Sequence, residues 1–134
     1  MRTDSIDTNI VIYSIAGEDP IQRKLSFGLL GEIGVMHHLS TLTISEVVYV
    51  FEKTYGKSRK EITNLVTFFL DRFSEHLAYD RKLVDSVFPI WLDHPKLSFV
   101  DCLLATEAEL SKNEPLWTFD KKLAKQMDSA KLLQ

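Results

Sequence analysis

The chain has 134 residues and a net charge of −3 at pH 7, which suits one domain over residues 1–134 and excludes a disordered or fibrous chain. Apolar runs such as Val47–Phe51 are far too short to span a membrane, and Met1-Arg2-Thr3-Asp4 opens no secretory pattern. The single cysteine, Cys102, excludes an intrachain disulfide and points to a reducing cytoplasm, while His37, His38, His76 and His94 lack the paired spacing of a zinc site.

Thr3–Ile6 reads as a first strand ending at Asp7-Thr8-Asn9, after which Ile10, Val11, Tyr13 and Ile15 continue an apolar stretch. Asp19-Pro20 opens a helix predicted over Pro20–Ile33. Met36–Ile44 suits a second strand, on which His37 and His38 point to opposite faces and cannot share a metal. Val47, Val50, Phe51 and Tyr55 then fall at helical spacing, with Gly56 placed as a left-handed terminator. Ser58 and Glu61 form a capping-box pattern ahead of the stripe Ile62, Leu65, Val66, Phe69, Leu70, Phe73, so the two helices make a hairpin.

His76–Tyr79 is a short strand candidate. Val84, Val87, Phe88 and Trp91 predict a helix that Pro89 should kink or interrupt. Val100–Leu110 is helical, Pro115–Thr118 reads as a buried strand, Asp120 starts a short helix to Lys125, and Lys131–Leu133 suits an edge strand. Trp91 and Trp117 are expected in the core, and the basic runs Lys57–Lys60 and Lys121–Lys125 on solvated helix faces. Strands alternating with helices imply an α/β fold with a parallel sheet covered on both faces.

Four acids fall at the junctions of this scheme. Asp7 ends strand one, Glu46 follows strand two where the hairpin begins, Asp101 opens the helix Val100–Leu110, and Asp120 follows the strand ending at Thr118. In an open parallel sheet such junctions lie at the carboxyl edge, where ligands bind. Each acid also suits a helix N-terminus: Thr43–Glu46 and Ser98–Asp101 fit capping boxes, and Asp7 and Asp120 fit N-caps. Gathered together, they would select hard cations such as Mg²⁺ or Mn²⁺, which hold phosphodiesters and activate water. Bound cations also reconcile the acidic balance of the chain with a nucleic-acid substrate.

The segment Ser5–Tyr13 resembles the opening Asp-Thr-Asn motif of PIN-domain nucleases. Leu42–Val47 is similar to their second motif, centred on Glu, Leu97–Thr106 to the third, and Leu116–Leu123 to the fourth, read as Thr-x-Asp. The resemblance implies a three-layer α/β/α sandwich with a central parallel sheet, and a Mg²⁺- or Mn²⁺-dependent endoribonuclease. It makes Asp7, Glu46, Asp101 and Asp120 the catalytic, metal-holding acids and Asn9 and Thr118 the groups that orient them. Among such proteins the chain most resembles the VapC-type toxin of a type II toxin–antitoxin pair. That implies a homodimer, inhibited by a small antitoxin protein, with the hairpin around Gly56 bordering the groove. Cys102 stands where alanine is usual, and the segment from Asp80 to Asp101 lacks the family's alanine-rich character.

The competing reading is a binding or signalling module with an acidic pocket, either an inactive PIN-like domain or a receiver-like one. A receiver wants paired acids after strand one, and a haloacid-dehalogenase-type phosphatase wants Asp-x-Asp. Here Asp7 is followed by Thr8-Asn9, and all four PIN acids are kept.

Overall fold

The computed structural model describes residues 2–134, which form two compact units that divide after Asp80. The first carries β1 (Arg2–Ser5), α1 (Thr8–Ala16), α2 (Pro20–Leu30), β2 (Val35–His38), α3 (Thr41–Lys53), α4 (Arg59–Arg72) and β3 (Leu77–Ala78). Its three strands lie in the order β1-β2-β3, every pair parallel. Parallel neighbours need a crossover, and the helix pairs α1–α2 and α3–α4 supply one after each strand. The ladder runs on past the strands, with Ile6 N donating to His38 O and Leu39 N to Ala78 O. All three strands therefore end on the same edge, and the chain leaves that edge at Asp7 and at Ser40.

Burial follows helical spacing. Ile44, Val47, Val48 and Phe51 of α3 and Ile62, Val66, Phe69 and Leu70 of α4 are all buried. His37 is fully buried on β2, its Nε2 bonded to the Leu29 carbonyl at 2.8 Å, while His38 is exposed. Gly56 lies between α3 and α4 at φ 63°, and Lys57 N returns to Phe51 O, so the left-handed glycine expected there is present. Ser58 and Glu61 make the full capping box. The Ser58 amide and hydroxyl, with Lys57 nearby, hold the Glu61 carboxyl below its ordinary range.

The second unit carries α5 (Arg81–Asp93), α6 (Phe99–Leu110), β4 (Leu116–Thr118), α7 (Lys121–Gln126) and β5 (Ala130–Leu132), with β4 and β5 parallel. Its core is aromatic: Trp91 is fully buried, and its ring centroid lies 5.3 Å from Phe99 and 6.3 Å from Phe88. The Ser129 hydroxyl ties the start of β5 to α6 by donating to the Ala105 carbonyl at 2.9 Å.

Three expectations are corrected. The strand expected over Met36–Ile44 stops at His38, because Ser40 is extended and accepts from Thr43 N. That cap starts α3 at Thr41, and burying Ile44, Val47 and Phe51 outweighs the strand preference of Thr41, Thr43 and Ile44. The box at Thr43–Glu46 therefore does not form. Pro89 lies inside an unbroken α5, on its exposed side. The carbonyl it leaves without a helical donor can be hydrated, while Val87, Phe88 and Trp91 bury the other side. The strand ending at Thr118 is not buried: Trp117 is 54% exposed.

No helix among the described residues is long and apolar enough to cross a membrane. The fold class is α/β with parallel strands, as expected.

Truncating Trp91 to alanine should cost about 3–5 kcal/mol in urea unfolding, whereas Trp117→Ala should stay within about 0.5 kcal/mol. Glu61 also makes a pH-dependent contribution. Its carboxyl is lowered in the folded chain from an ordinary value of 4.5, so its stabilisation is complete above that value and is lost as pH falls through the folded one. Acid unfolding of Glu61→Gln should therefore show a shallower pH dependence than the parent in that window.

Candidate metal and nuclease site

Asp7 is the first residue off β1 and the N-cap of α1, extended at φ −89° and ψ 165°. Its Oδ1 accepts from the Thr8 amide at 2.7 Å. The hydroxyl of the same Thr8 donates to Glu46 Oε2 at 2.5 Å. Thr8 is buried, whereas both carboxylates are exposed. One threonine at the start of α1 thus holds an acid from each of the first two strand-to-helix junctions. Glu46 sits in the second turn of α3 rather than ahead of it. That position lets its side chain come back toward the sheet edge and reach α1.

The motif reading assigned the orienting role beside Asp7 to Asn9. Asn9 is exposed and gives no hydrogen bond to either carboxylate among the described residues. Thr8, which the sequence reading did not single out, makes both contacts. The signal was in the sequence, since a threonine directly after an N-cap acid offers both an amide and a hydroxyl.

In the second unit, Asp101 is the third residue of α6 and closes a capping box: Ser98 N donates to its Oδ2 at 3.3 Å, and its own amide donates to Ser98 Oγ at 3.1 Å. Asp120 caps α7, its Oδ1 accepting from Lys122 N at 2.9 Å and Leu123 N at 3.2 Å. Thr118 Oγ1 accepts from the Asp120 amide at 2.9 Å. Both capping roles were expected.

A common pattern runs through the four acids. Each uses one oxygen, Asp7, Asp101 and Asp120 on a neighbouring amide and Glu46 on Thr8, leaving Asp7 Oδ2, Glu46 Oε1, Asp101 Oδ1 and Asp120 Oδ2 without protein hydrogen bonds among the described residues. None of the four is in a salt bridge there. Free carboxylate oxygens without a countercharge are donors for hard divalent cations. The donor chemistry fits Mg²⁺ or Mn²⁺, with no sulfur or imidazole in the set. Among the described residues no group of three or more His, Cys, Asp or Glu side chains is arranged to hold a metal ion, and the acids brought together are the pair bridged by Thr8. An apolar cavity of about 360 Å³ in the first unit, between Phe27, Phe69 and Phe73, includes none of these acids. Asp7 and Glu46 are exposed and Asp101 and Asp120 half-buried.

The fold is α/β with parallel strands; Asp7 and Asp120 follow strands, Glu46 lies in the helix after β2, and Asp101 lies in a helix that follows another helix. The family model of the PIN domain matches residues 5–128. The chain belongs to the PIN domain family, and the match spans all four acids as well as Thr8 and Thr118. PIN domains are generally metal-dependent nucleases. No curated protein matches the chain.

Capping and ligation are separable by substitution. Asp7→Asn keeps an N-cap acceptor and should leave urea stability unchanged within about 0.5 kcal/mol, whereas Asp7→Ala should cost about 1 kcal/mol. Thr8→Val should likewise cost about 1 kcal/mol, with Thr8→Ser recovering most of it.

Proposed function

We propose that the chain is a Mg²⁺- or Mn²⁺-dependent endoribonuclease that hydrolyses RNA phosphodiester bonds through Asp7, Glu46, Asp101 and Asp120. The observation that carries this reading is the Thr8 bridge: it fixes Asp7 and Glu46 by one oxygen each and leaves Asp7 Oδ2 and Glu46 Oε1 free. Asp101 and Asp120 repeat that arrangement with their own caps. Divalent ions bound by these carboxylates supply positive charge for the phosphodiester and activation of water.

The protein's own part is orientation and proton transfer. Thr8 holds the Asp7 and Glu46 side chains, and Thr118 holds the backbone at Asp120 while the α7 amides hold its carboxylate, so that little freedom is lost when ligands arrive. A free carboxylate oxygen accepts the proton of the attacking water. Asn9 adds an exposed amide beside Asp7, suited to the outer sphere of the ions. Family membership supports nuclease chemistry in general. The motif resemblance supports the narrower assignment: the cytoplasmic toxin of a type II toxin–antitoxin pair, homodimeric, one functional domain over residues 1–134, neutralised by a small antitoxin.

The test is cleavage of labelled RNA by purified protein with Mg²⁺ or Mn²⁺. Asp7→Asn, Glu46→Gln, Asp101→Asn and Asp120→Asn should each lower the rate on the order of 100-fold or more at unchanged fold. Thr8→Val should lower it about 10–100-fold, with Thr8→Ser restoring it. Variants that cut as fast as the parent would remove the acids from the mechanism. Expression in a bacterial host should arrest growth for the parent and not for Asp7→Asn, and an unaffected host would remove the toxin assignment.

A further inference from the structure

The solvent-facing side of the β4–β5 ladder carries two aromatic rings that no core claims. Trp117 is 54% and Phe119 78% exposed, high values for residues whose burial would stabilise the fold. Trp117 pairs with Lys131 across the ladder, and the Lys131 ammonium lies 5.4 Å from the indole centroid, a cation–π contact. Between the two rings, Thr118 is turned to the Asp120 amide. Helix α7 starts directly afterwards and presents Lys121, Lys122 and Lys125, all exposed. Residues 116–134 hold four lysines against two aspartates, in a chain whose net charge is −3. Positive charge is thus concentrated where the rings are exposed.

Exposed rings edged by lysines are the elements of a single-strand nucleic-acid surface: π-faces for bases, ammonium groups for the phosphates between them. We propose that Trp117 and Phe119 form a stacking platform for single-stranded RNA, with Lys121, Lys122, Lys125 and Lys131 holding its phosphates. A protein partner would meet the same rings, but the lysine excess favours a polyanion. Phe119 precedes Asp120 in the chain, so a base stacked there brings its phosphate toward that carboxylate. Trp117 and Phe119 are positioning residues in this scheme. The choice of RNA rests on the nuclease reading; the surface itself rests on its exposed rings and charge.

The full chain is titrated with a short fluorescein-labelled single-stranded RNA in EDTA, so that binding is read without cleavage, by anisotropy and by tryptophan fluorescence. RNA should quench the exposed Trp117, and Trp117→Phe should abolish the quench while keeping affinity within about threefold of the parent. The double variant Trp117→Ala/Phe119→Ala should bind about tenfold or more weakly with its thermal midpoint unchanged. Lys121→Ala/Lys122→Ala should reduce the salt dependence of binding. Duplex RNA of the same length should bind less tightly than the single strand. Equal affinity of the alanine double variant, no quench, or a preference for duplex would overturn the proposal. So would loss of self-association in the alanine double variant with RNA affinity intact, which would make this face a protein interface. The two readings separate cleanly. RNA bound with quenching but never cut with Mn²⁺ leaves the platform and removes the nuclease, while cleavage at an unchanged KM in the alanine double variant removes the platform and leaves the nuclease.

Discussion

The buried side chain of Thr8 is the contact on which the first half of the site depends. Its amide and its hydroxyl serve two different acids, Asp7 from the end of β1 and Glu46 from the second turn of α3. Each bond is modest by itself, and hydrogen bonds to charged groups are the stronger kind. What matters more is that one rigid residue, fixed at the first position of α1, sets both carboxylates in a common frame. Two exposed acids without such a tether would sample many rotamers and move apart under their own repulsion.

The parallel sheet makes the tether possible. Because β1, β2 and β3 all run the same way, their ends share an edge, and the helices that follow start beside one another. Helix starts expose amides that no turn of helix satisfies. Asp7, Asp101 and Asp120 each accept from such amides, and the positive end of the helix offsets part of the cost of fixing an anion there. Capping and ligand binding therefore do not compete for these residues. The cap takes one oxygen and, by fixing the side chain, aims the other.

Because Asp7, Asp101 and Asp120 are each a sound helix cap, none of these positions alone separates a nuclease from a well-capped helix. Four motifs in order made the family legible, and the caps at Asp7, Ser98–Asp101 and Asp120 were legible from local spacing. The start of α3 was not. Thr41, Thr43 and Ile44 prefer strands, and only the burial of Ile44, Val47 and Phe51 on one side shows that the helix has already begun. Pro89 was misleading for a similar reason: burial of Val87, Phe88 and Trp91 on the other side carries the helix through it, and the carbonyl it frees faces water. Trp117 was read as core because tryptophan usually is. Exposure is a property of the finished surface, and a three-residue strand carries too little periodicity to reveal it.

The charge of the chain gains meaning from these placements. A net charge of −3 opposes binding to nucleic acid on average, yet an average over the surface says little about a polymer that touches one part of it. The acids that matter are held with a bare oxygen and no basic partner among the described residues, so they present as donors for cations rather than as spent ion pairs. Lysines paired directly with them would compete with any cation for the same oxygens. Keeping Lys121, Lys122 and Lys125 on the exposed side of α7, just past Asp120, attracts phosphate without quenching the carboxylate. At Asp120 the chain thus sets its cations beside an acid rather than on it, the arrangement that the proposed cleavage of a polyanion would use.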